Sequence, residues 1–150
     1  MGPLIKINVI FADEINRLPL SKKKIRDLIS CVCDGEKVAH ASITTIFVDR
    51  EKITELNAQY LKHDYPTDVI AFPLHENGEA VDGEAYICVD TAFHQAAEYN
   101  VPFKEELIRL VVHGVLHLIG YDDKDQNARK RMLALGERYL NEFKNDTKHK

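Results

Sequence analysis

The stretch "PFKEELIRLVVHGVLHLIG", residues 102–120, constrains the fold of this chain more than any other. Pro102 suits the first turn of a helix and Gly120 supplies a stop. Between them the apolar residues are too many for a helix with a whole side in water, so this helix is a buried element that needs other layers packed on it. At 150 residues the chain is long enough for one domain with a real core.

The preceding sequence supplies a sheet. "IKINVIF" (5–11) alternates apolar and polar residues like a half-buried strand, and "ASITTIFV" (41–48) reads as a second strand on its β-branched content. A short apolar strand, Val69 to Phe72, ends at Pro73, and "AYICV" (85–89) is a fourth after the polar loop "HENGEAVDGE". Helices intervene. Ser21 caps "KKKIRDLISCVC", whose Ile25, Leu28, Ile29 and Val32 form one stripe, with Gly35 as its stop. Asp49 caps a helix with Ile53, Leu56 and Tyr60 on one face that breaks near Pro66, and Asp90 caps a short helix closing near Asn100. A last helix carries Met132, Leu135, Tyr139, Leu140 and Phe143. Strands early and helices late on one core predict an α/β chain of the α+β kind. It is a single compact domain over residues 1–144, with a mixed sheet of roughly four strands packed with helices. Residues 145–150 read as a loose tail.

Composition removes several classes. With 45% hydrophobic and 29% charged residues the chain is no disordered segment. No apolar run approaches the ~18 residues that span a bilayer, and the N-terminus lacks a signal peptide's pattern, so a cytoplasmic protein with no membrane partner is expected. Cys31, Cys33 and Cys88 are an odd set without zinc-ribbon spacing and are read as reduced packing residues. The net charge of -4 means that a nucleic-acid partner has to be held by a local patch.

The chemistry lies in "HGVLHLIGYDD", 113–123. His113 and His117 stand four apart on one helical face, so both can direct a nitrogen at one ion. A left-handed turn at Gly120 swings the following residues back, which brings Asp122 or Asp123 to the same point. Two neutral imidazoles, one carboxylate and an open fourth position make a hydrolytic zinc site. In H-E-x-x-H metalloproteases the residue after the first histidine is the general base; here it is Gly114.

These residues resemble the H-G-x-L-H-L-x-G-Y-D-H signature of the YbeY family of metal-dependent endoribonucleases, implicated in ribosomal RNA maturation. "LNAQYLKHDYPTDVIAFP" (56–73) and "GEAYICVD" (83–90) resemble that family's other blocks, in matching order. The resemblance implies one zinc ion on His113, His117 and position 123, with single-stranded RNA, an rRNA precursor or the ribosome as partner. Two departures stand out. The family's third histidine is Asp123 here, which lowers the formal charge of the site by one and makes the metal a weaker Lewis acid. The family's arginine after the tyrosine matching Tyr60 is Leu61, and the adjacent Lys62 is the substitute candidate for binding substrate phosphate, without arginine's fork.

Lys22–Lys24 and Lys124, Arg129, Lys130 and Arg131 are further candidates for an RNA-binding patch, while His63, His75 and His94 are expected to be surface histidines. Asp68 reads either as polar support for the site or as a turn residue. The expectation is therefore a zinc-dependent endoribonuclease of rRNA maturation and ribosome quality control, its general base not identified. Two rivals share the site: a metal-dependent hydrolase of a peptide or amide bond, and a ribosome-associated binding factor whose metal is structural. A two-histidine, one-carboxylate iron centre is a minor variant.

Overall fold

The computed structural model describes residues 4–61, 67–76 and 78–148, the last three in backbone only. In chain order the elements are β1 (Leu4–Phe11), α1 (Lys22–Gly35), β2 (His40–Val48), α2 (Arg50–Leu61), β3 (Val69–Pro73), β4 (Val81–Cys88), α3 (Val89–Tyr99), α4 (Phe103–Ile119) and α5 (Gln126–Lys148). The strands form one mixed sheet in the order β1-β2-β4-β3. β1 and β4 each run parallel to β2, and β3 returns antiparallel on β4. This is the α+β architecture that the order of the elements predicts.

Strand alternation sorts the side chains onto two faces. Val9, Ile43, Phe47, Ala85 and Ile87 point into the main core, where they meet α1, α4 and α5. Ile46, Val48, Ile70 and Cys88 point the other way, under Ile53 and Leu56 of α2. α4 is the central helix, with Leu107, Ile108, Val111, Val112, Val115, Leu116 and Leu118 all buried. It lies close on the sheet at Gly114, where a Cβ would stand 3.1 Å from that of Ala85 and 3.4 Å from Cγ1 of Val69.

Several details differ from the sequence reading. Gly35 ends α1, but the left-handed residue is Lys37, with φ 59°. Gly35 is also needed for space: a Cβ there would run into the ring and hydroxyl of Tyr139. Asp90 lies in the first turn of α3 and caps α2, accepting the Arg50 N–H at 2.8 Å, beside Asp49, which accepts that of Lys52 at 2.9 Å. β4 begins at Val81, inside the stretch read as loop, because Val81–Gly83 pair with β2 and Gly83 also with β3. The sequence predicts a loose tail from 145 on, yet α5 continues to Lys148, since no glycine or proline follows Gly136 to stop it. Cys33 and Cys88 are buried, and burial pushes the Cys33 thiol up to about 11, which suits packing and not reactivity.

Candidate metal centre

The last two turns of α4 bring His113 and His117 together with their Nε2 atoms 3.2 Å apart. Two nitrogens each ~2.0–2.1 Å from one tetrahedral zinc ion stand about 3.3 Å apart, so the spacing fits ligands sharing an ion. Burial, and secondarily the neighbouring His117, lowers the pKa of His113 from its ordinary value, while Asp68 and Asp123 oppose the shift. The imidazole is therefore neutral at pH 7, with a lone pair to give.

Gly120 then reverses the chain, with φ 125° and ψ 0°, a conformation that disfavours residues with a Cβ. The Tyr121 N–H folds back onto the Leu116 carbonyl at 3.0 Å, closing the helix. Three acids follow within five residues. Asp122 accepts the Lys124 N–H at 3.1 Å, and Asp125 caps α5 by accepting the Ala128 N–H at 2.8 Å. Asp123 is the one turned to the histidines: single ligand atoms of His113, His117 and Asp123 all lie within 4.8 Å of one another. Of the two acids left open by spacing alone, Asp123 is the one grouped with both histidines. The donor set suits a divalent ion of the zinc type.

The turn is tied down from a distance. The Tyr121 hydroxyl donates to Glu36 at 2.6 Å, and the Tyr139 hydroxyl donates to the other oxygen of the same carboxylate. One side chain just past α1 thus holds both the turn that carries Asp123 and α5. The hydrogen bond to Glu36 is the main reason why the Tyr121 pKa is raised. No local signal in the sequence marks Glu36, which acts across 85 residues.

From His113 and Asp123 a cleft of about 370 Å³ runs between α3, α4 and α5. Asp68 lies in it, with one carboxylate oxygen accepting the Val69 N–H at 2.8 Å and the other the Gln95 amide at 3.4 Å. Asp68 thus lines the same cleft as His113 and Asp123 while its own hydrogen bonds go to Val69 and Gln95. Deeper in the cleft, Arg109 bonds Glu106 at 2.7 Å and Glu137 at 2.8 Å. Glu106 is almost fully buried, and that burial raises its pKa against the opposing effect of Arg109. Arg129 also lines the cleft.

Among the described residues, His75, His94 and the lysines of α1 do not line this cleft. Leu61 is the exposed end of α2; Lys62 and His63 lie outside the described residues. His75 accepts the Asp82 N–H at 3.0 Å, and His94 packs edge-to-face on Phe93. Lys22 sits over the Phe11 ring and Lys23 pairs with Asp27, which accounts for two of the three lysines of α1 locally.

Fold and site together define an α+β domain whose central helix and following turn carry a two-histidine, one-carboxylate candidate metal centre. Residues 10–144 match the family described as Endoribonuclease YbeY. Endoribonuclease YbeY of Chloroherpeton thalassium is 40% identical over 121 residues, which are 81% of this chain and 85% of that protein. Its namesake from Salinibacter ruber is 37% identical over 125 residues, 78% of this chain and 80% of that protein. The solution structure of TM1509 from Thermotoga maritima superposes with a TM-score of 0.67 at 29% identity, covering 95% of this chain and 92% of that one. The chain belongs to the YbeY endoribonuclease family.

Proposed function

We propose that the chain hydrolyses phosphodiester bonds in single-stranded RNA, using one zinc ion on His113, His117 and Asp123, and that it works in the cytoplasm on ribosomal RNA precursors in maturation and quality control. The observation that carries the chemistry is the convergence of three donor atoms within 4.8 Å beside an open cleft. The relatives' shared name, Endoribonuclease YbeY, supports RNA as the substrate. Among the described residues no helix is long and apolar enough to cross a membrane.

When bound, the ion supplies Lewis acidity at the phosphodiester, which stabilises the charge that develops on phosphoryl oxygen. The chain's own part is orientation and charge. The neutral His113 and its partner His117 present nitrogens from a rigid helix, and Asp123 brings the one formal negative charge of the set. Compared with a third histidine, that charge leaves a weaker electrophile. Gly114 offers no base beside the first histidine. Lys62 stays the candidate at the segment after α2 for a contact to RNA phosphate.

The test is metal analysis of the purified protein together with cleavage of a single-stranded RNA oligonucleotide, with and without chelator. One zinc per chain and chelator-sensitive RNA cleavage are expected. Cleavage of casein in place of RNA would overturn the substrate, and RNA cleavage unaffected by complete metal removal would overturn the role of the ion.

A further inference from the structure

We propose that the cleft between α3, α4 and α5 is the subsite for the nucleotide next to the cleaved bond, with Arg129 holding its phosphate and Tyr99 meeting its base. This rests on the RNA-cleaving function proposed above and adds to it where the strand lies.

Most charges in the cleft are already engaged. Arg109 is held by two carboxylates, Glu106 and Glu137. Asp68 has an N–H donor on each oxygen, and Asp123 is turned to the histidines. Arg129 differs from all of these. It is exposed, lines the same cleft as His113 and Asp123, and enters none of the ion pairs found among the described residues. A guanidinium with unengaged donors beside a hydrolytic centre is a phosphate fork, and arginine matches the paired oxygens of a phosphodiester better than lysine does. Helical phase singles it out: Lys130 and Arg131 follow it directly on α5 but do not line the cleft.

The remaining lining suits a nucleoside. Tyr99, the last residue of α3, is 60% exposed although aromatic, and Met132 and Leu133 add apolar surface. Unpaired bases are bound by stacking on such rings, which tolerates any sequence. A volume of about 370 Å³ lies at the low end of small-ligand sites, the scale of one unstacked nucleotide.

The test is fluorescence anisotropy of a labelled single-stranded RNA oligonucleotide on the zinc-loaded protein across a salt series, read before turnover. For single strands the logarithm of affinity falls against that of salt with a slope of about 0.7 per neutralised phosphate. Arg129→Gln should therefore lower the slope by about 0.7 while keeping its zinc, and Arg131→Gln should leave the slope in place. Tyr99→Ala should weaken binding by about fivefold or more at every salt concentration, with Tyr99→Phe restoring it. An Arg129→Gln slope equal to the wild type's, or an equal fall in Arg131→Gln, would overturn the subsite alone. Unmoved affinity in Tyr99→Ala would overturn the base contact. Failure of the wild-type protein to bind RNA would overturn both the subsite and the function it rests on.

Discussion

The two halves of the candidate metal centre are held in different ways. His113 and His117 stand on α4, a helix buried against the sheet, and their separation is fixed by helical geometry as soon as the helix forms. Asp123 is exposed, three residues beyond a left-handed glycine, on a turn whose tether is Tyr121 on Glu36. The first half is preset by secondary structure and the second by a tertiary contact. Substitutions should therefore divide into those that remove a ligand and those that loosen a turn.

The largest effect is expected on the preset half. His113→Ala or His117→Ala should abolish stoichiometric metal binding, because two remaining ligands leave the ion mostly to water. Elemental analysis showing one ion per chain in both variants would remove the site from α4.

Next comes the contrast of the two neighbouring acids. Asp123→Ala should weaken zinc binding by more than the ~10–100-fold typical of changes outside the ligand set. Asp122→Ala, losing only the bond to the Lys124 N–H, should stay close to wild type. Competition titration against a chelator ranks them, and the reverse order would give the third position to Asp122.

The tether should matter less than the ligand and still be measurable. Tyr121→Phe and Glu36→Ala should each weaken zinc binding by about tenfold through a less ordered turn. Tyr139→Phe removes the other bond to Glu36 and should lower thermal stability with little change in zinc affinity. Wild-type zinc affinity in both Tyr121→Phe and Glu36→Ala would mean that the turn holds its shape without Glu36.

The smallest effect concerns protons in the metal-free protein. Burial holds the His113 pKa below its ordinary value of 6.5, so the unfolded chain binds this proton more readily than the folded one. This group makes no difference above about pH 6.5 and costs stability as pH falls below it, until the folded-state pKa is reached. Urea midpoints between about pH 7.5 and 5.5 should decline less in His113→Asn than in the wild-type protein. Equal declines would assign the pH sensitivity to other groups.

What was readable in the sequence follows the same division. Periodicity located α4, its stop and the two histidines, because those signals lie within a few residues. Asp123 was chosen over Asp122 by resemblance alone, since the competing bond to Lys124 depends on the path of the turn. Glu36 carried no signal, because a side chain that binds two tyrosines 85 and 103 residues away shows no spacing rule. Gly35 ends α1 where the sequence predicts a stop, but the Tyr139 ring packed against it leaves no local signal. Arg129 could not be told from Lys130 and Arg131 until the start of α5 at Gln126, behind the Asp125 cap, set the phase of that helix.

The close approach at Gly114 also bears on which chemistries are reachable by descent from this chain. A peptidase of the H-E-x-x-H kind is one codon position away on paper, glutamate for glycine beside the first histidine. Here that position faces the strands: a Cβ would already crowd Ala85 and Val69, and a longer acidic chain would enter the core. A glutamate at this position would have to be accommodated by movement of Ala85 and Val69, the two side chains already nearest to it. The close seat of one helix thus weighs against a base beside the first histidine and favours chemistry that needs none at that place.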